Sequence, residues 1–238
     1  MRYSPVDIAV GKVLNYFVAT PDQQHALGTR TDVVSYDYDT TANVPNGGGG
    51  EAVYVKATGT FAVGRLVCID KDWNLLDAPN TANTGRPVFV CMQAFSSTNQ
   101  YGWVLRSGIF PVSFAVAATV GAVYIGGAGQ ATPTLAAGKQ LLNATTLIAA
   151  AGTFTRTVKT VNGSPYVTVM NGVQGIYPGL TPSGTGIAAS TVSSIDPDGR
   201  TLKLTANATA SGTVTVTFTH TGFGIVHFSN PCAQGNIT

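Results

Sequence analysis

Charge is scarce in this chain. Asp, Glu, Lys and Arg make up 10% of its 238 residues, against roughly a quarter in an ordinary soluble domain. So few charges give little protection against self-association, and they suit a surface that an assembly covers; an ordinary secreted β-protein is the other reading of the same composition. The formal net charge is only +2 and the basic residues form no cluster, which argues against duplex nucleic acid as the main partner. Long hydrophobic runs are missing too, so no stretch is expected to span a membrane. The opening residues, Met1-Arg-Tyr-Ser-Pro-Val-Asp-Ile8, show no basic segment followed by an apolar one. The expectation is a product made in the cytoplasm and kept there until it is assembled or released.

Reactive side chains are equally sparse. Cys68, Cys91 and Cys232 are odd in number and widely spaced, which fits buried thiols better than a disulfide frame or the close pairs of a zinc site. The only histidines are His25, His220 and His227, and none has a carboxylate or cysteine at metal-ligand spacing. Asp70 with Asp72, and Asp196 with Asp198, resemble acid pairs, but each falls where a hairpin turn is expected and where aspartate bonds nearby backbone amides. Calcium would need more oxygen ligands than such turns supply. The glycine-rich stretches Gly47 to Gly50 and Ser183-Gly-Thr-Gly186 are not followed by lysine and a helix-forming segment, as a phosphate loop requires. Serine and threonine are plentiful, yet no base stands at a recognisable spacing to activate one. The expectation is therefore a protein that is not an enzyme and takes no cofactor and no metal, with its function in its surfaces and partners.

What the chain does contain is short β-strands punctuated by turn formers. Glu51–Lys56, Arg65–Ile69, Pro87–Met92, Tyr101–Arg106 and Ile109–Phe114 are rich in valine, isoleucine and aromatics. The gaps between them hold glycine, asparagine or aspartate and are too short for helical crossovers, which favours a small antiparallel β-barrel or sandwich over a parallel sheet. Beyond Val112 the pattern loosens. Ala115 to Thr119 reads as a helical turn or a loop, Val123–Ile125 as a strand, and 132–151 as apolar but irregular. From Gly152 to about residue 221 the segments Thr153–Thr160, Tyr166–Met170, Thr191–Ile195, Thr201–Thr205 and Thr213–Phe218 alternate apolar with hydroxylated residues, the pattern of antiparallel sheet with one wet face. Asp196-Pro-Asp-Gly199 reads as a turn between two of them. The predicted unit is a small β-sandwich. Phe223–Phe228 is strand-like again and more apolar, so residues 222–238 are expected to return to the barrel of 51–151 and close it, leaving 152–221 as an insertion.

Residues 1–50 differ from the rest. Apolar clusters at Val13-Leu14 and Tyr16-Phe-Val18 precede a polar run, and the region ends in Asn46-Gly-Gly-Gly-Gly50, where glycine supplies freedom and no side chain to pack. It reads as an extended N-terminal arm on a flexible hinge, or alternatively as one or two further strands of the same sheet from Val6 to Val18. Arg2, Tyr3, Val6, Ile8, Tyr16 and Phe17 combine apolar anchors with one charge in a segment with no core of its own, and are the candidate partner contacts. Tyr36 and Tyr38 alternate in the same arm. Tyr101 and Trp103, on either side of Gly102, share one face of their strand, where they serve as core packing or as a sugar-stacking platform.

The passages Gly50–Lys56, Ala62–Asp70, Gly85–Met92 and Gln100–Gly108 resemble virion structural proteins of tailed bacteriophages, and in their succession of strands they are similar to small β-barrel capsid decoration proteins. A second passage, Gly179–Ile187 through Thr191–Gly199 and on to Thr217, resembles a β-rich module of phage surface proteins. Together they cover somewhat less than half of the chain. The resemblance implies a cement protein bound to the major capsid protein on the outside of an icosahedral head, commonly as a homotrimer, with the inserted module projecting outward toward host glycans. The alternative is a tail-associated or receptor-binding adhesion protein whose C-terminal sandwich binds carbohydrate.

Overall fold

The computed structural model describes residues 3–5, 19–35, 50–148, 152–173, 176, 178–196, 200–220 and 222–235. Every regular element among them is a strand: β1 (Tyr3–Pro5), β2 (Arg30–Ser35), β3 (Gly50–Ala57), β4 (Leu66–Ile69), β5 (Asn74–Asp77), β6 (Phe89–Cys91), β7 (Tyr101–Ser113), β8 (Gly121–Gly127), β9 (Gln130–Thr132), β10 (Gln140–Ile148), β11 (Gly152–Thr160), β12 (Tyr166–Val169), β13 (Thr181–Ser183), β14 (Val192–Ile195), β15 (Thr201–Leu204), β16 (Gly212–His220) and β17 (Phe223–Ala233). The protein is all-β, and residues 115–119 form a loop.

The strands form two sheets. The larger has the order β1-β2-β3-β5-β4-β6-β7-β17-β10-β8-β9, with β3 also paired to β7. Its central strands are apolar at successive positions because both of their faces are covered. Ala52, Tyr54, Leu66, Val90, Trp103 and Leu105 point into one core together with residues of β8, β10 and β17. The alternate residues Val53, Val55, Val67, Cys91 and Val104 point into another, with Phe61, Leu75 and Phe95.

Three features of the strands after β3 differ from the sequence expectation. First, the sheet is mixed, because β3 and β5 run parallel. No helix is needed for that crossover: the chain reverses twice through β4, and β5 then slots between β3 and β4. Second, the two strands expected at 101–106 and 109–114 are one, β7. Gly108 takes φ +122°, which lets the strand bend without ending. The first half of β7 pairs with β3, from Lys56↔Tyr101 to Glu51↔Ser107. Its second half pairs with β17, from Ser229↔Ser107 to Phe223↔Ser113. Third, the irregular stretch 132–151 contains β10, whose pairing with β17 shifts register between Leu142 and Ala144, around Asn143 at φ +58°. That break hides the alternation that would have marked the strand.

Part of the segment expected as an arm lies on the sheet. β2 pairs with β3 from Arg30↔Val53 to Val33↔Gly50, Thr20 bridges to Tyr101, and Leu27 packs against the larger core. Gly50, expected in a hinge, is the first residue of β3. A Cβ there would collide with the carbonyl oxygen of Ser107, so glycine is needed at that point for close backbone approach.

The second sheet, β13-β16-β11-β12-β15-β14, is built wholly from residues 152–220 and is antiparallel at every pairing. Its two edges meet where Gly179 N–H donates to the Val192 carbonyl (2.7 Å) and Val192 N–H to the Leu180 carbonyl (2.8 Å). Val158, Val167, Val169, Leu202, Leu204, Val216 and Phe218 fill its interior. The chain then returns through β17, which lies between β7 and β10.

Candidate interaction surfaces

Of the six candidate contacts, Arg2, Val6, Ile8, Tyr16 and Phe17 lie outside the described residues. Tyr3 opens β1 and pairs with Ser35 of β2, at the edge of the larger sheet. Tyr36, Tyr38, Gly47 to Gly49 and the turn residues 197–199 also lie outside.

Tyr101 and Trp103 do share a face, and the face is covered. Trp103 is 3% exposed and belongs to an aromatic cluster with Tyr54 at 5.1 Å between ring centroids and His25 at 5.4 Å. His25 meets Tyr54 edge-on at 5.1 Å, and the Gln24 N–H donates to the Tyr54 hydroxyl (2.9 Å). Residues 19–27 thus seal these rings, and Trp103 serves the core. Nothing in the polar run Pro21 to His25 announced that contact. It arises because β2 carries the preceding segment across β3 and β7.

The turn at Asp70 is held by its own carboxylate. Asp70 Oδ1 accepts from the N–H groups of Asp72 (2.8 Å) and Asn74 (2.9 Å), and Oδ2 from the Asn74 side chain (2.9 Å). The hydrogen bond from the Asn74 side chain, foremost, and those from the backbone hold the Asp70 carboxyl below its ordinary pKa. Burial pushes the Cys91 thiol up, and raises that of Cys68 to about 11. Both therefore stay neutral at physiological pH and behave as small apolar side chains. No group of three or more His, Cys, Asp or Glu able to hold a metal ion occurs among the described residues.

Two further surfaces stand out among the described residues. The outward face of the second sheet is paved with hydroxyls in cross-strand pairs, Thr153 with Thr219, Thr155 with Thr217 and Thr157 with Thr215. It carries Lys159, Tyr166 and Lys203 at one end. The other surface is a cleft of about 600 Å3 between the two β-units. One wall comes from residues 62–63 and 94–100, the other from β14, Lys203 and Thr205, and Phe223 lies at their junction. Phe223 joins the units: its ring occupies the space a side chain on Gly64 would take, and it also packs on the core of the second sheet. No residue of the cleft is marked in the sequence by spacing or motif, because its walls come from segments about a hundred residues apart in the chain.

A scan of protein-family models and searches of curated proteins and of solved structures found no match to the chain. No helix among the described residues is long and apolar enough to cross a membrane.

Proposed function

We propose that the chain is a structural protein of a tailed-phage virion that binds the outer head surface and cements the shell. The observation that supports this reading is where the resemblance falls. Its first four passages supply β3, β4, β6 and β7, which are neighbours through direct pairing or through β5. We read β3, β5, β4, β6 and β7, with β7 paired back to β3, as the small barrel of a decoration protein, and 152–220 as its outward β-sandwich. The partner is the major capsid protein and the working form a homotrimer. The protein is made in the host cytoplasm and resides on the capsid surface, with neither nucleic acid nor membrane as partner. Many weak contacts multiplied by capsid symmetry then hold the shell through avidity. Exposed Val116, Val120 and Leu135 on the first unit supply apolar area for such contacts.

Copy number tests the proposal. Densitometry of purified particles should show the chain at a stoichiometry comparable to the major capsid protein. A handful of copies per particle would favour the tail-associated adhesion reading, in which the hydroxyl-paved sheet face meets host carbohydrate.

A further inference from the structure

We infer that the cleft between the two β-units is a binding site for a carboxylate-bearing sugar, with Lys203 pairing the carboxylate. The inference concerns ligand binding alone and does not rest on attachment to a shell. The lining sets the chemistry. Among the described residues Lys203 is its one charged side chain, and no Asp or Glu borders the cleft. Lys203 has no ion-pair partner among the described residues; its Nζ lies 5.9 Å from the centroid of the Tyr166 ring. The cleft therefore favours one negative charge at that end.

Around that charge the cleft offers hydrogen-bonding groups suited to a polyhydroxylated ligand. Ser193 falls in the register shift between Val192 and Ser194, and Ser193, Ser194 and Thr191 all line the cleft. On the opposite wall Gln100 has a fixed amide: its Oε1 accepts from the N–H groups of Ser96 (2.7 Å) and Ser97 (3.2 Å), which leaves its NH2 group to donate. Phe223 supplies an aromatic surface of the kind that packs against the C–H face of a sugar ring. The volume of about 600 Å3 falls within the range of about 300–1,000 Å3 usual for ligand pockets and admits a short oligosaccharide. A phosphate or sulfate polyanion calls for several cations, preferably arginine forks, and an apolar ligand would strand the hydroxyls.

Isothermal titration of the full chain with trigalacturonate, 3′-sialyllactose, maltotriose and inorganic phosphate tests this. At least one acidic saccharide is expected to bind, with maltotriose and phosphate at least about tenfold weaker. Lys203→Gln should weaken the acidic sugar by a similar factor without moving the melting temperature. Ala94→Trp, at an exposed position of the opposite wall, fills the cleft without changing charge and should abolish binding. It also keeps the test sharp should the lysine variant fold poorly. Three results would overturn the inference: no binding of either acidic saccharide at millimolar concentration, maltotriose or phosphate bound as tightly, or binding unchanged in both variants.

Discussion

Gln93 is fully buried, yet neither its Nε2 nor its Oε1 has a hydrogen-bond partner among the described residues. The amide is wedged over Gly102, where any Cβ would strike it. A buried amide without a partner costs about 1–3 kcal/mol on mutational scales, so Gln93→Met, of similar length, should raise stability by about 1 kcal/mol, read as a higher urea midpoint. Gly50→Ala should act the other way. Its methyl group must displace the Ser107 carbonyl, and forcing atoms into a packed site costs about 1–3 kcal/mol. Cys68 gives a pH signature. Burial raises its pKa from 9.0 to about 11, so the folded chain keeps the proton longer than the unfolded one. Stability from this thiol is complete below pH 9 and is lost as pH climbs to 11. Cys68→Ala should remove that part of the alkaline decline in urea midpoint, measured against the parent chain. At this scale the sequence was informative about Cys68 and Cys91 as buried thiols and about the shared face of Tyr101 and Trp103, because alternation in a strand fixes facing. It was silent on Gln93 and His25, whose surroundings come from other segments.

Among the elements, those legible in advance were strands whose pattern is unbroken, such as β3, β4, β11 and β16. β5 was not legible, since Asn74–Asp77 follows a polar run and only β3 on one side and β4 on the other make it a strand. β9 and β13 have three residues each, too few to show a period. The turn ahead of β5 gives an element-scale prediction. Asp70 joins the end of β4 to the start of β5 through three hydrogen bonds, and β5 in turn is the link between β4 and β3. Asp70→Ala should lower the thermal midpoint by about 3 °C, while Asp70→Asn, which keeps one acceptor oxygen, should lose less. Because the Asp70 pKa is depressed, its contribution is present above the ordinary carboxylate range and is lost as pH falls through the depressed value. The gap between wild type and Asp70→Ala should therefore narrow in acid.

At the scale of the whole molecule, the chain leaves the larger sheet at the end of β10 and re-enters it at the start of β17, and those two ends are partners: Thr146 faces Val226 and Ile148 faces Ile225. Residues 152–220 are thus a closed excursion from one hairpin, with their own sheet and interior. Replacing 150–221 by Asn-Gly, which leaves a connection of about six residues between the partners Ile148 and Ile225, an ordinary loop length, should leave the larger sheet folded, with a single cooperative urea transition and a β-type circular dichroism spectrum. Phe223 would lose the second core it packs on while keeping its place over Gly64, so the shortened protein should be somewhat less stable, read as a lower urea midpoint. The same geometry decides how shell attachment is to be tested. Deleting residues 1–45 would strip β2 from β3 and expose Tyr54 and Trp103 by removing His25 and Leu27, so failure to attach would report unfolding. Deleting 1–18 instead removes Arg2, Tyr3, Val6, Ile8, Tyr16 and Phe17, at the loss of the three-residue edge strand β1 from β2, while sparing the β2–β3 pairing and the contacts of His25 and Leu27. If these residues hold the chain to a capsid, the shortened protein should still unfold cooperatively, with only a small drop in melting temperature from the lost edge strand, and fail to sediment with purified phage heads. Co-sedimentation at full stoichiometry would place the contact elsewhere on the first unit, with the loop carrying Val116 and Val120 the next segment to alter.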